Sequence, residues 1–567
     1  MALEERLRSP KSIFPRLRAT AASPRLSRGS VAWPLAAGAI CVIAVMPLVS
    51  LGWIALTYPS ASTWSHLLST VLPDALRTTL LLLAGVLAIV TIVGTATAWL
   101  VTIYDFPGRR LFSWLLAVPL AMPTYLSAFA YIEIWDYAGP IQSALRSLFG
   151  WQSARDYWFP DIRTLGGAIF LIGFALYPYV YLTARASFVR TPSGLLDASR
   201  ALGHSPRATF WHVALPIARP ALAAGAALAL MECLNDIGAV SALGVRTLTV
   251  TIYNTWLERS NLGGAAQIAC LMLAMVLILL GIERWSRRQQ RYYQSARSAR
   301  SIARTRLAPR HAALAIVICA LPIAIGFGTP AFVFTKAALT HWDAAASGSF
   351  WIHLRNSIGL STAGAALAVL AGLMLVYARH STRSLMLAAM TRLASIGYAV
   401  PGTVLGLGIL VPLAALDNLI DGWMRSVAGI ATGLVLTGSA AAIVLAYGIR
   451  FLALSQGTIE AGFSRQSPNL DDAARNLGRR PHQVLWEIHL PLVKPAIGAA
   501  AVLVFVDGMK ELPATLLLRP FNFDTLATHV YTLTTFDMFE EAALPALAIV
   551  VVGCIPVIML QRLIKKK

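Results

Sequence analysis

The sequence predicts an all-α polytopic membrane protein with about twelve transmembrane helices in two homologous six-helix halves. Composition, the length of the apolar runs and an internal repeat carry that reading. Hydrophobic residues make up 57% of the 567 positions and charged residues 13%, with a mean hydropathy of +0.65. A soluble domain carries about 25% charged residues. A chain this apolar stays dispersed only where much of its surface meets lipid.

A helix needs about 20 apolar residues to cross the hydrocarbon core. Candidate spans are 32–57, 78–104, 111–134, 165–187, 216–239 and 264–282, then 312–334, 357–378, 391–415, 429–453, 491–517 and 541–561. Pro, Arg or acidic residues interrupt 111–134, 216–239, 391–415 and 491–517. The net charge of +21 does not signal nucleic-acid binding, because Lys and Arg sit in short segments between apolar runs, as the positive-inside rule expects. Those segments include Arg109–Arg110, Arg190 to Arg219, Arg284 to Arg310, Arg379 to Arg392, Arg450 to Lys494 and the tail from Arg562 to Lys567. Twelve crossings then place both termini in the cytoplasm. The expected organisation is a basic cytoplasmic tail (1–30), a first half (31–283), a basic cytoplasmic linker (284–311) and a second half (312–567). The five cysteines form no CxxC pair and read as small apolar residues in the membrane.

Two of the basic segments match each other. Asp197-Ala198-Ser-Arg-Ala-Leu-Gly203 precedes Leu215-Pro216 and Arg219-Pro220; Asp472-Ala473-Ala-Arg-Asn-Leu-Gly478 precedes Leu490-Pro491 and Lys494-Pro495. The offset is constant, 472 − 197 = 275 and 491 − 216 = 275, and Pro206 and Pro481 keep it. Leu195 to Leu202 predicts a short amphipathic helix. Gly203 supplies a left-handed stop, Ser205 a cap and Pro206 the first position of the next helix. Each segment is expected to be two short helices joined at a glycine corner, with a proline-marked start to the next span.

This pattern resembles the "EAA" loop of ABC importer permeases, whose consensus is Glu-Ala-Ala, three residues, Gly, then Ile-x-Leu-Pro. Asp replaces Glu in both copies, and Ser199 replaces the second Ala in the first. The resemblance implies the type I ABC importer permease fold. It also implies that residues 194–205 and 469–480 are coupling helices docking two copies of an ABC ATPase subunit. No GxxxxGK[ST] motif is present, so ATP and Mg are expected on that partner and no cofactor on this chain. No Ser/His/Asp or HExxH constellation points to catalysis, and no residue is assigned as a metal ligand.

The helices after the two loops carry acids, Glu232 and Asp236 in the first and Asp507 and Glu511 in the second, again 275 apart. Spaced i, i+4, each pair is expected on one helical face. Intramembrane carboxylates face a bundle interior or a watery path, and four of them suit a hard, multivalent cation. The alternative is internal pairing with Lys510, Arg246 or Arg519. Met231 to Gly238, Met509 to Pro520, Phe523 to Thr528, Pro119 to Tyr125 and Leu176 to Leu182 resemble the ferric-iron permeases of the fused two-half type. That resemblance implies a bacterial inner-membrane permease for ferric iron, fed by a periplasmic substrate-binding protein. Thiamine or another small solute is the alternative cargo, and an ion-coupled secondary transporter the alternative class.

Overall fold

Lipid offers no partner to a backbone N–H, so spanning segments must close their own hydrogen bonds as helices. The computed structural model describes residues 32–58, 67–288, 304–342 and 348–565, except 383, 396, 398, 399, 465, 468 and 480. Among them ten helices are long and apolar enough to cross a membrane, and two bent pairs raise the number to 12. The first six are Trp33–Thr57, Ser69–Ile103, the pair Arg109–Ala121 and Thr124–Phe149, Leu165–Arg190, Pro206–Asn235 and Leu262–Trp285. The second six are Pro309–Thr340, Gly348–His380, Gly402–Ala428, the pair Ala441–Arg450 and Leu452–Phe463, Leu485–Met509 and Phe539–Met559. The expected basic tail and residues 289–303 of the expected linker lie outside the described residues. The described end of the linker is tied down, since Thr305–Arg306 pairs in parallel with Tyr104–Asp105.

Several spans differ from expectation. The 111–134 segment bends by 90° between Ala121 and Thr124, where Pro123 stands in extended backbone. In place of 391–415 stand a short helix, Leu385–Ala394, and a span that begins only at Gly402 behind Pro401, because proline disfavours helical backbone in the residue before it. That span runs to Ala428, and Gly429 at φ +68° ends it. The apolar segment after it is therefore loop, and the next span is 441–463 instead of 429–453. Two acids of the Gly402–Ala428 helix hold this loop. Asp421 accepts from the Thr432 and Gly433 amides (2.7 and 3.0 Å), and Asp417 from the Leu436 and Thr437 amides (2.8 and 2.9 Å).

The halves share more than the repeat in the sequence. Gly94 approaches the backbone of Tyr177 and Tyr181, and Gly372 that of Gln456. Thr79 Oγ1 accepts from the Leu248 amide, and Ser357 Oγ accepts from the Leu526 amide. These matches carry an offset of 278 (372 − 94, 357 − 79, 526 − 248). Three-residue differences in loops thus separate them from the 275 register. The first helix of each half also packs on the other half. Trp33 meets Tyr377 edge-on at 5.0 Å, the Pro47 carbonyl lies against Gly408, and Tyr131 donates to the Ile325 carbonyl.

Candidate functional site

Both matched loops have the expected local form. The first runs Ser193–Ala201, Gly203 at φ +85°, then Pro206–Thr209. The second runs Leu470–Asn476, Gly478 at φ +77°, then Pro481–Val484. Only glycine adopts such backbone at low cost. Ser205 caps as expected, its Oγ accepting from the Ala208 amide at 3.2 Å. Leu202 and Leu477, just before the corners, are 80% and 81% exposed. Asp197 is exposed, with Arg200 at 4.0 Å.

The loops do not end where the spans begin. In each copy the second short helix widens into one π turn, Phe210–Ala214 or Leu485–His489, and continues as Leu215–Asn235 or Leu490–Met509. The Leu-Pro dipeptide explains the turn. Pro216 and Pro491 donate no hydrogen bond, and their rings press on the carbonyl four residues back. The wider turn opens that spacing, with the Leu215 and Leu490 amides reaching the carbonyls five residues back.

At their far ends the two helices break. The first stops at Asn235 and the second at Met509, so the four acids do not lie on two unbroken helical faces. Glu232 and Asp507 belong to the helices, whereas Asp236 and Glu511 stand beyond the breaks. Each of the latter two caps the next short helix: Asp236 accepts from the Ala239 amide (2.8 Å) and Glu511 from the Ala514 amide (2.9 Å). The carbonyl of Leu234, freed by the first break, accepts the Thr249 hydroxyl at 2.7 Å.

The breaks meet where the halves meet. One cavity of about 80 Å³ is lined by all four acids together with Tyr125, Asn235, Arg450 and Lys510. That is room for a few waters or an ion and far too little for a sugar-sized solute. Four carboxylates face two cations there. Arg450 is buried, with Nε 3.4 Å from Glu511 Oε2 and Nη1 donating to Asn235 Oδ1 at 3.0 Å. Asn235 Oδ1 also accepts from the Gly402 amide at 2.7 Å, so this side chain of the first half ties together two helices of the second. Lys510 pairs with Asp507 at 3.0 Å. Arg519 is engaged elsewhere, with Asp524.

Arg450 was expected at the start of a basic loop. It stands instead at the 47° bend between Ala441–Arg450 and Leu452–Phe463, inside the protein. A lone cation between two apolar stretches was the available signal. The segments 119–125, 176–182, 231–238 and 509–520 all contribute to the cavity wall. Among the described residues, no three His, Cys, Asp or Glu side chains form a ready metal cage.

Ten to twelve candidate spans, duplicated loops and a shared central cavity define a two-half, multi-pass membrane protein of the permease class. The chain belongs to the family described as "Binding-protein-dependent transport system inner membrane component", which it matches twice, over residues 91–292 and 366–567. It is 26% identical to the Fe(3+)-transport system permease protein FbpB 2 of Haemophilus influenzae, over 86% of this chain and 90% of that one. It is 25% identical to the probable ABC transporter permease protein y4fN of Sinorhizobium fredii, over 79% of each chain. The sulfate transport system permease protein CysT of Synechococcus elongatus is 26% identical over 46% of this chain and 95% of its own length.

Proposed function

We propose that the chain is the transmembrane subunit of an ATP-driven, binding-protein-dependent importer for ferric iron, in a bacterial inner membrane with both termini in the cytoplasm. A periplasmic protein delivers the cargo. Two ATPase subunits carry ATP and Mg and grip the corners at Gly203 and Gly478, with Asp197, Ala198, Asp472 and Ala473 on the docking helices. Their closure moves the helices that start at Pro216 and Pro491 and rocks the halves about the central cavity.

The observation that carries the cargo assignment is the convergence of Glu232, Asp236, Asp507 and Glu511 on one cavity that holds only two cations. A hard trivalent cation seeks oxygen ligands, and the iron relative matches along both halves. The test is radio-iron uptake in a strain lacking the chromosomal copy. Wild-type chain should restore uptake; Glu232→Gln and Asp236→Asn should lower it at least tenfold while membrane levels stay unchanged. Asn keeps an oxygen to accept from the Ala239 amide, so Asp236→Asn removes charge more than structure. Normal uptake in the double variant removes the carboxylates from the path.

A second reading follows from Arg450, Lys510 and the sulfate relative. The two cations would then hold an anion, and sulfate uptake, not iron uptake, would depend on them.

A further inference from the structure

The two halves match in backbone but not in charge at the break. Residue 510 of the second half corresponds to 235 of the first: one is Lys and the other Asn. Lys510 leans back on Asp507 at 3.0 Å, and Glu232 and Glu511 lie within its electrostatic reach. In the same cavity wall two buried polar atoms lack partners among the described residues. Asp236 is 8% exposed, and its Oδ2 has no hydrogen bond among the described residues. Thr124 lies beside this carboxyl without completing a bond to Oδ2. Tyr125 is 4% exposed, and its hydroxyl is likewise unbonded. Buried polar atoms are rarely left unpaired unless a water, ion or ligand uses them. Asp236 and Tyr125 both line the same cavity as the Lys510–Asp507 pair.

We infer that Lys510 is a specificity-determining counter-cation: its ammonium engages Asp507 when no cargo is present, and a hard multivalent cation binds the chamber by displacing it toward solvent. The inference rests on the proposed reading that the acids line the path. A single ammonium, held on a flexible stem, is a weak competitor for a trivalent ion and a strong one for a monovalent ion. Lys510 therefore sets a charge threshold. Arg450 does not share this task, since Glu511 and Asn235 fix it from two sides.

The test uses the full chain in lipid nanodiscs and terbium(III) as a hard trivalent probe, read by luminescence sensitised through nearby aromatic rings. Lys510→Met should bind terbium about tenfold more tightly than wild type, because one positive charge leaves the site. Lys510→Arg should stay within twofold of wild type. Adding Glu232→Gln and Asp236→Asn to Lys510→Met should abolish the gain. Lys510→Gln repeats the measurement with a polar side chain should the methionine variant fail to elute as a single species. Unchanged or weaker binding in the neutral variants overturns the inference, as does a gain that survives loss of the acids. Iron uptake separates the two levels. Uptake by wild type with unaltered terbium binding in Lys510→Met sinks only the counter-cation; no iron uptake by wild type sinks the cargo assignment, whatever the terbium result.

Discussion

Replacing Arg450 with Met removes one side of a buried charge pair and leaves the other in place. The guanidinium Nε stands 3.4 Å from Glu511 Oε2, with the two side chains 6% and 5% exposed. At an effective dielectric constant of about 20, unit charges at that distance attract by roughly 5 kcal/mol. Part of the loss is offset, because Glu511 still accepts from the Ala514 amide. Asn235 likewise keeps its bond from the Gly402 amide. Removing one partner of a buried pair costs about 3–5 kcal/mol, and the lower end is expected here. The double variant Arg450→Met, Glu511→Gln has no charge to strand and should recover about half of that loss. The assay is reversible SDS unfolding in mixed micelles, followed by tryptophan fluorescence. A cost under about 1 kcal/mol for Arg450→Met, or a double variant no better than the single one, refutes the view that this pair fastens the centre.

The remaining predictions concern corners, helix contacts and pH. Gly203→Ala and Gly478→Ala should each cost about 1 kcal/mol, from left-handed backbone alone, because a new Cβ meets nothing within 4 Å; the same unfolding assay reads it, and a loss above 3 kcal/mol at either site contradicts an open corner. The pair of substitutions together should release a co-purifying ATPase subunit. Gly94→Val and Gly372→Val should lower folded yield, at about 1–3 kcal/mol each, since even a Cβ at Gly94 would meet backbone at 2.9 Å and one at Gly372 would meet Ser455 Oγ at 2.4 Å; size-exclusion recovery measures this. His529 titrates near 4 instead of 6.5, held down by burial and by the His353 ring, whose centroid is 4.2 Å away. The folded state therefore stays neutral while the unfolded state takes a proton below about 6.5. Stability is full above that pH, falls as pH drops from about 6.5 to about 4, and levels beneath it. His529→Gln should flatten the thermal-melting profile between pH 7 and pH 4.5.

Membrane class, most spans and the duplicated loops were legible because they depend on local chemistry: apolar length, the Leu-Gly corner and the proline three residues after it. The acids were legible as a set because they keep the 275 register. Their geometry was not. An i, i+4 spacing implies one face only while the helix continues, and the helices end at Asn235 and Met509, before Asp236 and Glu511 are reached. The span at 429–453 misled for a related reason: hydropathy counts Leu434, Val435 and Leu436 as membrane. The Leu436 amide and those of Thr432, Gly433 and Thr437 are drawn onto Asp417 and Asp421, eleven to twenty residues upstream, a pairing with no sequence signature. Arg450 was hidden because a charge-counting rule assigns a cation at the end of an apolar run to the loop that follows, here the basic segment that resumes at Arg465. Its partners, Asn235 and Glu511, lie in different halves, so only the folded chain brings them together.

That cross-half contact bears on why the two halves are joined. Halves paired as identical copies would present every central residue twice, because a two-fold interface is self-complementary. Two arginines at the position of Arg450 would each need an acid and an amide, and two lysines at 510 would raise the central cations to four against four carboxylates. In the fused chain the positions corresponding to Arg450 and Lys510 at the 275 offset are Ala175 and Asn235. Both of these also line the cavity. At these two positions one half thus supplies space and a neutral amide while the other supplies positive charge, and the cavity keeps two carboxylates in excess. Duplication built the helices, loops and breaks in pairs; divergence at these two positions left a centre whose charge is not forced to be symmetric. Restoring symmetry should be harmful in a specific way: Asn235→Lys, which brings a second ammonium to the carboxylates and removes the acceptor of Arg450 and the Gly402 amide, should lower both stability and uptake, whereas Ala175→Ser, small and neutral, should change neither by more than twofold in uptake or about 1 kcal/mol in unfolding.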